Sequence, residues 1–181
     1  MDAIEEFGLL LKALTRESDR RINDLLRPLG ITASQAEALQ LLDRYGPLSL
    51  GELGTLLIAE GGHPSRLVDR MVTSGLLRRE SADNDRRRVE ISCTARGSEL
   101  ARQARERKET FRSWVRDQLS GQDLTAATAL LECCLRDTQL AETVRSRREH
   151  ALAEETSDAP ATRPNVRDVR ARRSASVSPV G

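Results

Sequence analysis

Aromatic side chains are nearly missing: one tryptophan, one tyrosine and two phenylalanines occur in 181 residues. The core must then be aliphatic, as it is in helix bundles. Histidine is equally scarce, and His63 and His150 stand far apart. No nucleophile motif, phosphate-cradling loop or metal-ligand spacing accompanies them, so the sequence argues against an enzyme and implies neither metal nor cofactor. There is no signal peptide and no apolar run of about twenty residues, which argues against a membrane partner and for a cytoplasmic protein. Lysine occurs only at Lys12 and Lys108 against 27 arginines, a bias that reflects a GC-rich genome more than selection for phosphate contacts. Of the three cysteines, Cys133 and Cys134 are adjacent on a helical segment and point in different directions, which keeps them from bridging each other.

What the chain does have is a cluster of positive charge. The formal net charge of +1 hides a division, because residues 63–96 carry eight arginines against five acids while residues 1–62 carry six basic groups against ten acids. The centre of the basic region is SADNDRRRVEISCT, Ser81 to Thr94. It reads as a β-hairpin: Asp83, Asn84 and Asp85 favour a turn that projects Arg86, Arg87 and Arg88 outward. Val89, Ile91 and Cys93 share the packed face of the return strand by its two-residue period. On that face Cys93 is expected to be a small core residue. A projecting arginine tip suits a phosphate backbone or a minor groove, whereas three arginines in isolation are more commonly a solvated loop.

The preceding residues decide in favour of the first reading. Thr32 with Gln35 and Ser49 with Glu52 have the spacing of capping boxes, which satisfy free amides at helix starts. The first helix is expected from about Ala33 to Tyr45, burying Ala38, Leu39, Leu41 and Leu42 and ending at Gly46 and Pro47. The second holds Leu53, Leu56 and Leu57 and is expected to stop near Gly61 and Gly62. The third begins at Pro64 and ends at Gly75, with Leu67, Val68, Met71 and Val72 inward. Its other face shows Ser65, Arg66, Asp69, Arg70 and Thr73, side chains that can reach base edges in a major groove. Helix, turn, helix and arginine-tipped hairpin make a winged helix-turn-helix.

From about Leu29 to Gly97 the chain resembles the MarR family of bacterial transcription regulators. The resemblance is carried by SRLVDRMVTSGLLRR (Ser65 to Arg79), DNDRR (Asp83 to Arg87) and CTARG (Cys93 to Gly97). It implies a homodimer that binds double-stranded DNA at a pseudo-palindromic operator, most simply as a repressor. Recognition helices would enter successive major grooves, with Arg87 the best-matched wing arginine and Arg86 beside it. Glu60 at the family's acidic position would pair with Arg87. A small-molecule effector, phenolic or carboxylate, would bind between the dimer helices and the reading domain, where Phe7, Leu11, Tyr45 and Trp114 are candidates and equally good core residues. Two stretches depart from the family. Glu60, Gly61, Gly62 and His63 replace the usual serine, proline, serine, threonine opening, so the recognition helix is expected to start late. His63 then becomes a candidate DNA contact particular to this chain, with a cap or turn role as the alternative. Ala82 and Asp83 stand where aspartate and proline are common, which predicts a less rigid tip.

The flanks favour dimerisation. Ile4, Phe7, Leu11, Leu14, Ile22 and Leu25 form an apolar stripe, interrupted at Ser18, on a helix of about 24 residues. Leu100, Ala104, Phe111, Trp114, Val115 and Leu119 mark a second helix, broken near Ser120 and Gly121. A third carries Leu124, Ala127, Leu130, Leu131, Cys134 and Leu135. Interlocking around a two-fold axis is one arrangement of these helices, and an intramolecular bundle is the other. The expected fold is therefore mainly α with a small β-hairpin wing, organised as an N-terminal dimerisation helix over 1–28, a winged helix-turn-helix over 29–97, C-terminal dimerisation helices over 98–150 and a disordered tail over 151–181. Alternative functions are a redox-responsive regulator working through Cys93, Cys133 or Cys134, and a winged-helix module that binds protein without DNA. The tail arginines Arg163, Arg167, Arg170, Arg172 and Arg173 offer weak DNA attraction, but a solubilising role suffices for them. Truncation at Ala151 is accordingly expected to leave the salt dependence of DNA binding unchanged, and a flatter slope would give those arginines a part.

Overall fold

The computed structural model describes residues 1–59, 63–82 and 85–157, with the backbone alone at residues 82, 85–88 and 154–157. Helix α1 spans Ala3–Leu26 and starts at Asp2, whose Oδ1 accepts the Ile4 and Glu5 amides at 2.9 and 2.8 Å. A 3-10 turn at Arg27–Leu29 closes on Gly30, whose φ of 66° lies in the left-handed region glycine tolerates. Helix α2 is Ala33–Tyr45 and α3 is Leu50–Leu56, and each opens with the expected capping box, Thr32 with Gln35 and Ser49 with Glu52. Helix α3 ends well before Gly61. The chain leaves it at Leu57, whose extended backbone (ψ 127°) accompanies a side chain buried to 4% exposure. Burial of Leu57 outweighs one more helical turn.

Helix α4 covers Pro64–Thr73, and Gly75 (φ 69°) follows its cap. Strands β1 (Leu77–Ala82) and β2 (Asp85–Cys93) then pair antiparallel, with Leu77 opposite Cys93, Arg79 opposite Ile91 and Ser81 opposite Val89. Leu48 joins the inner end of this hairpin through paired backbone bonds with Ile91 at 3.1 and 2.8 Å. Helix α5 is Ala95–Gln118, α6 is Leu124–Leu135 and α7 is Gln139–Ser157.

The core is aliphatic, as the composition requires. Leu26, Leu39, Leu53, Leu56, Leu67, Val68, Met71, Leu77 and Ile91 are its largest fully buried side chains. One expectation about packing needs correction. Val89 is 50% exposed although it shares the strand period of Ile91, because a two-stranded wing leaves the domain beyond Ile91 and has nothing to pack on. On α1 the fully enclosed residue is Leu26, which lies next to the Leu25 of the apolar stripe and joins the core.

The flanking helices do not close on themselves. Ile4, Leu10 and Leu14 on α1 are 83%, 61% and 62% exposed, and α6 contributes no buried residue. An intramolecular bundle of α1, α5 and α6 is therefore not formed among the described residues. Helix α7 was not anticipated, because Gln139–Ser157 lacks an apolar period, and its ALAEETS end consists largely of good helix formers. It runs through Ser157, past Ala151 where the sequence placed the start of the tail; residues 158–181 lie outside the described residues.

One close approach fixes how α5 sits on the reading domain. A Cβ at Gly97 would lie 2.1 Å from the Leu76 carbonyl oxygen and 3.2 Å from Leu39 Cδ2. Neither backbone nor buried leucine can yield, so Gly97→Ala is expected to destabilise the fold by about 3 kcal/mol, the upper part of the range for overpacking. Chemical denaturation of the purified variant measures it, and an unchanged midpoint would contradict this packing.

Candidate nucleic-acid interface

The reading face is built by burying its opposite. Leu67, Val68 and Met71 are 1%, 0% and 0% exposed, and each fully buried side chain of this kind contributes about 1.5–3 kcal/mol. With that edge of α4 committed, Ser65, Arg66, Asp69, Arg70 and Thr73 all face outward. His63, Arg66, Arg70 and Thr73 recur at three and four residues and so share one stripe. His63 holds the N-cap position, but its ring makes no capping bond and stays exposed. Pro64 occupies the first helical position, 3.4 Å from where a Gly54 side chain would begin, which sets α4 tightly against α3.

These exposed residues are not equivalent. Among the described residues the guanidinium groups of Arg66 and Arg70 have no intramolecular partner. Asp69, by contrast, accepts a 2.7 Å bond from Arg79 Nη2, tying α4 to β1. The pair is exposed and engages Oδ1 alone, leaving the other carboxylate oxygen on the outward face. Arg79 was not among the sequence-derived site residues, and its only signal was the adjacent arginines after Leu77. Arg78 crosses the hairpin, donating to Ser92 Oγ at 2.9 Å, with Glu80 at 3.3 Å. Arg96 donates to the Ser74 carbonyl at 3.1 Å and satisfies the C-terminal end of α4.

The wing arginines are strand residues. Strand β2 begins at Asp85, so Arg86, Arg87 and Arg88 fall within its span, but the register passes from Ser81 opposite Val89 to Ala82 opposite Asp85 and leaves all three in an irregularity of the pairing, without an opposed residue. Their side chains, and Glu60 with its expected pairing to Arg87, lie outside the described residues. The proposed effector-lining residues are not brought together either. Tyr45 stands edge-on to His150 at 5.1 Å, whereas Trp114 stacks on Phe111 at 5.7 Å beside α1. A cleft of about 370 Å³ opens there, lined by Arg21, Asp24, Leu25, Thr110, Phe111 and Trp114, with the Arg21 guanidinium 4.0 Å over the Trp114 ring.

This geometry can be set beside known proteins. The MarR family model matches residues 31–89, from the approach to α2 through most of the wing. The multiple antibiotic resistance protein MarR of Escherichia coli is 31% identical over 117 residues, covering 65% of this chain and 73% of that one. The chain belongs to the MarR family. The organic hydroperoxide resistance transcriptional regulator of Bacillus subtilis is 35% identical over 95 residues, spanning 52% of this chain and 65% of that relative. In three dimensions, a cysteine-to-serine mutant of Escherichia coli MarR complexed with operator DNA superposes with a TM-score of 0.63 at 26% identity, covering 75% of this chain and 99% of that one. The MarR family is one of transcription regulators, and its winged-helix fold is the fold found here.

Within this MarR-family chain the cysteines divide. Cys93 Sγ lies 3.7 Å from the Leu39 carbonyl, and burial, reinforced by Asp43 and partly offset by Ser98, pushes its thiol up to about 11. A raised value keeps the sulfur protonated at neutral pH, where the protonated form is the poor nucleophile. Cys133 and Cys134 are exposed on α6. Brief iodoacetamide treatment at pH 7.5 is expected to alkylate Cys133 and Cys134 at least about tenfold faster than Cys93, as read by peptide mass spectrometry. Preferential labelling of Cys93 would reopen its candidacy as a sensor.

Proposed function

We propose that this chain is a homodimeric, sequence-specific DNA-binding repressor that releases its operator on binding a small aromatic acid or phenol. The observation that carries the reading is the stripe on α4: two arginines without a partner among the described residues, Arg66 and Arg70, flanked by exposed His63 and Thr73 and held outward by a fully buried opposite edge. Free guanidinium groups on a rigid helix suit bidentate contacts to guanine edges. Ser65 stands beside them on the same exposed surface, with Arg86, Arg87 and Arg88 assigned to the flanking backbone and minor groove. The MarR relative solved on operator DNA supports this assignment.

Dimerisation is supported by the uncovered leucines of α1 and α6, because Leu10, Leu14, Leu130 and Leu131 stay 61%, 62%, 52% and 44% exposed in a single chain. Contiguous apolar surface of this kind marks an interface. A dimer places two recognition helices one turn of duplex apart, which a monomer cannot do. For the effector, the cleft between α1 and α5 offers the stacked Phe111 and Trp114 rings, with the Arg21 guanidinium over Trp114 and already paired to Glu17 at 2.6 Å, a setting that suits a planar aromatic ring. The protein then acts by binding and not by catalysis, in the cytoplasm where its DNA is.

The test is a titration of the purified protein on its own upstream region at two salt concentrations. Arg87→Ala is expected to weaken binding to all duplexes alike. Arg66→Ala or Arg70→Ala should cost about 1–3 kcal/mol on the preferred site and relax base preference there. A chain that sediments as a lone subunit and leaves every promoter fragment unshifted in dilute salt would overturn the reading.

A further inference from the structure

The end of α3 and the residues just after it are held by side chains from two other helices, α2 and α7. Helix α3 ends at Leu56, and beyond it the Ile58 and Ala59 amides need acceptors. Glu37 of α2 supplies them, taking Ile58 N–H at 3.2 Å and Ala59 N–H at 2.7 Å in its carboxylate. Ser34, one turn earlier on α2, donates its hydroxyl to the Ala59 carbonyl at 3.1 Å. The remaining tie comes from the far end of the chain. Arg147 of α7 donates through Nε to the Leu56 carbonyl at 2.6 Å, across 91 residues, and through Nη2 to Glu37.

The arrangement is partly enclosed: the Arg147 side chain is 30% exposed and that of Glu37 13%. An ion pair removed from water to this degree, with both partners also bonded to backbone, is worth more than a surface pair and is costly to break from one side. Lys108 of α5 lies close by, donating to Gln40 Oε1 at 3.1 Å, and burial lowers its pKa while Glu37 opposes that shift and Arg147 adds to it. Helix α7 meets α2 at two points, Arg147 on Glu37 and His150 edge-on to Tyr45. On its other side Arg148 reaches Glu132 of α6 at 2.6 Å, so α7 touches a flanking helix and the reading domain at once.

We propose that Glu37 and Arg147 are positioning residues for DNA reading: by clamping the end of α3 and the start of the connection into α4, they make the aim of Arg66 and Arg70 depend on the docking of α7. This rests on the DNA-binding reading given above. Neither residue faces the duplex. They act through Ile58 and Ala59, the last described residues before His63 and the recognition helix. A displaced α7 leaves the Leu56 carbonyl and the partly enclosed Glu37 carboxylate each short of a partner, and Ile58 and Ala59 are then held less firmly.

The experiment uses the full chain and an operator fragment selected from random duplex by the wild-type protein. Operator affinity, affinity for random duplex and amide exchange at Ile58 and Ala59 are measured for wild type, Arg147→Met, Arg147→Lys and Glu37→Gln. Arg147→Met is expected to bind the operator about tenfold more weakly, the effect of losing one charge-assisted hydrogen bond. Binding to random duplex should stay unchanged, because phosphate contacts do not need an aimed helix. Ile58 and Ala59 should exchange faster, and Arg147→Lys should recover part of both losses. Glu37→Gln should show the same pattern and decides the matter if Arg147→Met does not fold. Equal loss on operator and random duplex, unchanged exchange at Ile58 and Ala59, or failure of both variants to fold would each overturn the proposal. A wild-type protein that selects no operator would instead sink the DNA-binding reading itself.

Discussion

The packing of α4 on Leu67, Val68 and Met71 is the constraint from which the interface follows. A ten-residue helix is too short to be stable by itself in water, so it exists because that edge is enclosed. Once the edge is fixed, the helical period leaves no choice about which residues face outward. The same burial that stabilises the domain therefore selects Arg66 and Arg70 for solvent, and the exposed Asp69–Arg79 pair at 2.7 Å adds a link from α4 to β1.

Polar groups in this domain serve the ends of helices more than their faces. Asp2, Thr32, Ser49, Thr94 and Asp123 each cap a helix start, while Arg96 and Arg147 take up carbonyls at the ends of α4 and α3. No buried side-chain polar atom is without a partner among the described residues. Apolar contacts in the core are non-directional, and these directional bonds add angular definition to the helices that present the DNA-reading surface. The helices outside the domain show the opposite condition. Their leucines remain in solvent, among the large apolar side chains that the described residues leave uncovered.

Much of this was legible in the residues themselves, for local reasons. The capping boxes, Pro64 and Gly75 act within a few residues of their own positions, so α2 was expected from Ala33 to Tyr45 and is found there, and α4 begins at Pro64 as expected. The SRLVDRMVTSGLLRR run, with its inward stripe and outward arginines, is equally local, which is why the winged helix-turn-helix and the MarR family were both readable. The misjudged points depend on what lies across space. Val89 obeys the strand period yet is exposed, because periodicity names a face without saying whether anything covers it. Leu57 ends α3 early because a core position awaits it.

The sequence alone determined the starts of α2, α3 and α4, the aliphatic character of the core and the face of α4 that carries charge, since each of these is fixed by chemistry within one or two turns. Only the tertiary structure decided which of the outward residues stay free. Asp69 and Arg66 look alike in the sequence as polar residues on one helix, but strand β1 brings Arg79 to the first and nothing to the second. It likewise brought Arg147 to Glu37 across 110 residues, a pairing invisible to any local pattern. Charge pairs at such separations are set by how elements pack, and no spacing along the chain encodes that.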